Sequence, residues 1–244
     1  MNETKEKFIE QQHELQKEIN LNTDNTPMKK LNIRDIISIM LNIVIVVFTV
    51  IGTYVMMTNL KRGTGLTSSG LRNLKYFTVL SNEFCGIIAF IWLIFRFIHK
   101  KLPVILKLMA AASVALTFII VAALLAPMYP ELNLYQGSNF WFHLIIPLTA
   151  MAEFITMRVE EPIPFRYTFI AATPSLVYGF GYLINILING IGKWPNTNDW
   201  YGFLNWGYPI GFVLFAINVL MNWVMACIVR FFNKKVNQKI FKSL

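Results

Sequence analysis

Six apolar stretches separated by polar joints run through most of the chain, at residues 36–57, 76–98, 104–126, 140–157, 167–191 and 208–232. Each is long enough to cross about 30 Å of hydrocarbon at 1.5 Å per residue. The fourth is the shortest and carries His143, Pro147 and Glu153, so it is the least apolar. The pattern predicts an all-α polytopic integral membrane protein, with six transmembrane helices in a single bundle. Around that bundle (residues 35–232) it predicts a polar N-terminal tail of residues 1–34 and a basic C-terminal tail of residues 233–244. A tail of that length, with no small-residue cleavage site after it, is not read as a signal peptide. Residues 3–20 have two readings of equal standing: a surface helix, with Phe8, Leu15 and Ile19 on one side, or a solvated, partly disordered cytoplasmic tail.

Composition sharpens this reading. The chain of 244 residues is 55% hydrophobic and only 14% charged, against roughly a quarter charged in soluble domains, which excludes a soluble or disordered chain. Its net charge of +9 is not gathered on one face, as a nucleic-acid reader requires, but sits in clusters at the ends of apolar segments. Lys29, Lys30 and Arg34, then Arg96, Lys100, Lys101 and Lys107, then Arg158 and Arg166, and finally Arg230, Lys234, Lys235, Lys239 and Lys242 all fall on one side. Both termini are therefore predicted in the cytoplasm. Residues 59–75, with Lys61, Arg62, Arg72 and Lys75, dissent from that scheme. Tyr129, Tyr135, Trp141, Trp194, Trp200, Tyr201, Trp206 and Tyr208 gather on the other side, where the loops are expected to form a lid. Cys85 and Cys227 lie in apolar stretches with no metal-ligand spacing, and neither a metal nor a cofactor is expected.

Polar residues within the spans carry the candidate chemistry, because they are costly in lipid. On a helical wheel Thr78, Ser81, Asn82 and Cys85 share one face, and Glu83 points about 140° away from Thr78. Thr78 is 18 residues from Arg96 and His143 is 15 from Arg158, which sets the two at depths within about 5 Å of each other. Asn185 and Asn189 approach the same level. An imidazole near a threonine hydroxyl is a general base beside a nucleophile. The simpler readings are structural. A membrane threonine commonly bonds its own i−4 carbonyl, Asn82, Asn185, Asn218 and Asn222 serve as interhelical hydrogen-bonding groups, and Glu153 pairs with Arg158 at a helix end.

Four stretches carry a family resemblance: Leu74-Lys75-Tyr76-Phe77-Thr78; Phe142-His143 through Pro147 to Glu153; Gly181-Tyr182 through Gly192-Lys193-Trp194-Pro195 to Tyr201-Gly202-Phe203-Leu204; and Leu220-Met221-Asn222. In these the chain resembles the androgen-induced-gene/ADTRP-type six-span threonine hydrolases and their uncharacterised bacterial relatives. The resemblance implies a lipid-ester hydrolase in a bacterial plasma membrane, with Thr78 as nucleophile and His143 as base. Its partners would be membrane lipids, and its substrate a fatty-acid ester of a hydroxy fatty acid or a similar lipid. Ser81, Asn82 and Asn185 are the candidate oxyanion donors, and Glu83 and Glu153 the candidate accessory acids. This chain departs from the family in having Ser81 where an acid stands three residues after the threonine, and in its proline four rather than five residues after the histidine. Two other functions use the same residues. A transporter or small-molecule-binding protein would line a path with Ser81, Asn82, Glu83, Asn185 and Asn222, and an acyltransferase would pass the acyl group to a lipid alcohol.

Overall fold

The computed structural model describes residues 32–58, 70–193 and 196–241, with side chains to residue 238. The N-terminal tail, Lys61, Arg62 and Trp194 lie outside the described residues. Residues Ile33–Leu244 cluster as one compact unit. Its described residues form helices α1 (Ile33–Thr58), α2 (Phe77–Phe97), α3 (Val104–Met128), α4 (residues 138–156), α5 (Arg166–Asn189) and α6 (Tyr208–Phe241), with a 3-10 turn at Gly70–Lys75 and no strand. Five of them, α1, α2, α3, α5 and α6, are long and apolar enough to cross a membrane, the mark of a multi-pass integral membrane protein. They pack together around α3. Helix α4 is not among the five, because Asn139, His143 and Glu153 lower its hydropathy.

Proline sets the irregularities. It has no N–H to donate, so each carbonyl upstream of one must find another partner. Helix α3 passes through a π turn at Val121–Leu125 just before Pro127, and α4 through another at Trp141–Ile145 just before Pro147. In α5 the helix breaks at Ala172, ahead of Pro174, and the Thr173 hydroxyl serves the Ile170 carbonyl at 2.7 Å. The central stretch of α3, Ala110-Ala111-Ala112-Ser113-Val114-Ala115-Leu116-Thr117, is wholly buried. Its small side chains let neighbouring helices close on it, which is how helices associate where no hydrophobic driving force acts. Elsewhere glycine gives the room. A Cβ on Gly86 would meet Thr49 at 2.6 Å, and one on Gly52 would meet the Phe142 ring at 2.8 Å.

One end of the unit gathers charge. Asp35 pairs with Arg96 at 3.3 Å, and exposed Lys101 pairs with Glu160. There the last carbonyls of α4, which no residue of α4 itself can cap, are met from two other helices. Arg34 donates to Thr156 O at 2.9 Å, while Asn233 donates to Phe154 O at 2.7 Å and to Met157 O at 3.0 Å.

Between this end and the middle of the bundle lies a buried ion pair that corrects two sequence expectations. Lys107 is not a boundary charge, and Glu153 does not pair with Arg158. Lys107 Nζ lies 2.7 Å from Glu153 Oε2, with the two side chains 6% and 1% exposed. Ser38 Oγ and Asn42 Nδ2 donate to the other carboxylate oxygen at 2.6 and 2.8 Å, and Lys107 donates to Asn42 Oδ1 at 2.6 Å. A buried charge pair is tolerated where hydrogen bonds satisfy both ions, as here, and breaking one half leaves the other uncompensated. Lys107→Met is therefore expected to lower stability by about 3 kcal/mol, whereas Lys107→Met combined with Glu153→Leu recovers most of the loss. Equilibrium unfolding in mixed detergent checks this; a double variant as unstable as the single one contradicts it.

Candidate functional site

The end opposite the charge cluster holds the candidate residues. Thr78 stands in the first turn of α2 and is half-buried. Thr49, Thr53, Thr58 and Thr156 each donate to their i−4 carbonyl at 2.7–2.8 Å. Thr78 does not, because its i−4 residue, Leu74, lies in the 3-10 turn before α2 begins. Among the described residues its hydroxyl makes no hydrogen bond, while its backbone carbonyl accepts from Ser81 Oγ at 3.1 Å and from Asn82 Nδ2 at 2.7 Å.

His143 lies in the π turn of α4 and is 7% exposed. Its Nδ1 is 2.6 Å from the Leu134 carbonyl. A carbonyl can only accept, so Nδ1 carries the hydrogen, and in the neutral ring the Nε2 lone pair is the one available for a proton.

Asn82 ties the two turns together. In the π turn Ile146 N donates to Trp141 O, five residues back. The next such bond, to Phe142 O, would need an N–H from Pro147, which has none. Asn82 Nδ2 supplies the missing donor, at 2.9 Å from Phe142 O, while also holding Thr78 O. One buried amide thus binds the residue before His143 and the turn that bears Thr78. The Thr78 hydroxyl and the His143 ring themselves share no hydrogen bond.

The other expected members separate. Ser81 Oγ meets Thr117 Oγ1 at 3.0 Å, across to α3. Both amide hydrogens of Asn82 are engaged with carbonyls, and its Oδ1 has no partner among the described residues. Asn185 accepts from Asn189 along its own helix at 2.9 Å. Glu83 meets the Thr53 hydroxyl on α1, which it shares with the Thr49 carbonyl. Glu153 is ten residues beyond His143, about 15 Å along the helix, in the ion pair with Lys107.

Sequence reasoning missed three contributors. One is the polar stripe of α1, where Asp35, Ser38, Asn42 and Thr53 meet Arg96, Glu153 and Glu83 in turn. Their steps of three, four and eleven residues, close to one and three helical turns, are a helical spacing that was legible in the chain. The second is Leu134, whose backbone role no side-chain pattern signals. The third is Tyr201. Its hydroxyl accepts the Phe77 N–H at 2.8 Å, at the N-terminus of α2, where Tyr76 gives no side-chain cap. Burial pushes this phenol up to about 12, so it stays neutral. Around it Tyr178 donates to Lys75 O at 2.6 Å, Trp200 Nε1 donates to Tyr178 at 3.0 Å, and Tyr182 donates to Asp199. Tyr201 also stacks on Phe203 at 5.3 Å, so part of the expected aromatic lid is present as a hydrogen-bonded layer over the start of α2.

No family model, curated protein or solved structure matches the chain.

The bridging role of Asn82 has a measurable signature. Asn82→Leu orphans the Phe142 carbonyl and should cost about 1–3 kcal/mol. Pro147→Ala restores an N–H five residues after Phe142, so it should recover part of that loss when combined with Asn82→Leu. Thermal unfolding of the two single variants and the pair decides. Strictly additive losses would mean that Pro147 is not what leaves this carbonyl in need of a donor.

Proposed function

We propose that α4 crosses the bilayer with the five long helices, that both termini are cytoplasmic, and that the chain is an intramembrane lipid-ester hydrolase. Thr78 is the nucleophile and His143 the base. The observation that carries this reading is the Asn82 bridge between the turn of an uncommitted threonine hydroxyl and the turn of a histidine whose Nδ1 is already fixed. The family resemblance supports the same pair.

In the reaction Thr78 Oγ attacks the ester carbonyl carbon as its proton passes to His143 Nε2. The tetrahedral intermediate collapses, the C–O bond to the alcohol breaks, and the alcohol leaves with the proton from Nε2. Water then attacks the acyl-threonine, giving one proton to Nε2, and that proton returns to Thr78 Oγ as the acid departs. The Leu134 carbonyl holds the ring in the required tautomer and stabilises the charge it gains during each transfer. Ser81 is the expected oxyanion donor best able to turn toward the intermediate. Asn82 acts mainly as the frame, Asn185 stands outside it, and Glu83 and Glu153 serve α1 and α3 rather than the reaction. If a lipid alcohol replaces water in the second half, the same residues perform acyl transfer.

The buried Lys107–Glu153 pair favours a second reading, because ionisable residues inside a bundle often mark a transport path. Against it, the hydrogen bonds of Ser38, Asn42, Lys107 and Glu153 close on one another.

Thr78→Ala and His143→Ala are each expected to lower lipid-ester hydrolysis by the purified protein by at least about 100-fold with the fold retained. Hydrolysis at the unaltered rate in either variant rejects the assignment. Ester-independent solute flux in reconstituted vesicles that is lost in Lys107→Met would support transport instead.

A further inference from the structure

The basic residues just before α2 face the side that the charge pattern otherwise leaves poor in Lys and Arg. Lys75 closes the 3-10 turn three residues before Thr78, so at most about 11 Å of chain separates them. Its Nζ lies 5.2 Å from the Tyr76 ring centre and 5.4 Å from that of Trp200, and Arg72 is exposed on the same turn. Among the described residues neither cation forms an ion pair. Asp199, the acid of the aromatic layer, is buried. Its two oxygens already accept from Tyr182 OH and from the N–H groups of Phe203 and Leu204, both at 2.9 Å. The start of α2 adds the partial positive charge of a helix N-terminus. Burial, and then the charge of Arg72, push the Lys75 ammonium below its usual value.

We propose that Lys75 and Arg72 form a subsite for an anionic group, a carboxylate or a phosphate, on the lipid ester that Thr78 attacks. The inference rests on the hydrolase reading and extends it to specificity. The rings of Tyr76 and Trp200 hold the lysine head at the headgroup level without neutralising it, and the anion anchors the substrate by one end. A substrate so anchored presents its ester within a few ångströms of one depth, which is the use of binding energy remote from the reacting bond. It also gives the dissenting basic loop a function other than orientation.

Full-length protein in zwitterionic-lipid nanodiscs is assayed with paired esters that differ only in a free carboxylate or its methyl ester. The acid should be preferred about tenfold in kcat/KM, mainly through KM. The preference should fall toward one in Lys75→Gln/Arg72→Gln and at high salt, and persist in Lys75→Arg/Arg72→Lys. A ratio near one in the unaltered protein, or one that survives in the Gln pair, overturns the subsite. If Thr78→Ala is inactive in that same assay, the hydrolase reading stands without it. Thermal stabilisation by a long-chain carboxylate over its methyl ester, lost in the Gln pair, supports the subsite even where Thr78→Ala stays active and the hydrolase reading fails. Equal stabilisation by phosphatidylglycerol in the nanodisc, with no hydrolysis of its acyl esters, assigns the patch to a bilayer lipid and overturns the substrate assignment.

Discussion

A carbonyl oxygen inside an apolar bundle must find a donor, and that of Phe142 has none in its own helix. Pro147 removes the N–H that the π turn would have used, and Phe142 is buried away from any water that would stand in. The amide of Asn82 meets the need from α2 and, with its second hydrogen, holds the carbonyl of Thr78. The Phe142 ring is seated against Gly52 of α1, where any side chain would collide with it. Three helices are thereby locked at the point where an imidazole and a free hydroxyl stand on adjoining turns. The irregular backbone of α4 is thus part of what builds the site.

A second polar layer does a different task. Ser38, Asn42, Lys107 and Glu153 fasten α1, α3 and α4 to one another through bonds that satisfy both ions. That closure fixes the register of the bundle and leaves little free valence for chemistry. The layer near Thr78 is the reverse. There a hydroxyl and the Oδ1 of Asn82 lack partners among the described residues, and the ring nitrogen of His143 that faces away from Leu134 has its lone pair available. Completed networks hold the fold, and in the proposed reading the incomplete one beside Thr78 is where a substrate binds.

Much of this was legible in the chain. Apolar length gave the long helices to within a few residues, except that α6 runs nine residues past its expected end, to Phe241, into the stretch expected as a tail; the scarcity of charge made Thr78 and His143 conspicuous. The shared depth of the two residues came from helical rise alone. The proline four residues after the histidine allows a small turn, and it stands just past the π turn. What stayed hidden is what depends on pairing between distant segments. Lys107 reads as a boundary charge because it lies four residues after Pro103, yet the neighbouring helices enclose it. Glu153 reads as a partner for nearby Arg158, whereas its partners come from α1 and α3. Tyr201 was counted as an interfacial aromatic, but its hydroxyl accepts from an amide 124 residues away, a role only the fold assigns.

The central claim is that Thr78 becomes acylated with help from His143. The most direct measurement is peptide-level mass spectrometry after reaction with a fluorophosphonate or an activated lipid ester. The account predicts a covalent adduct on the Thr78 hydroxyl, formed far more slowly in His143→Ala. An adduct on another residue, or loss of ester turnover on fluorophosphonate treatment with Thr78 left unmodified, would contradict it.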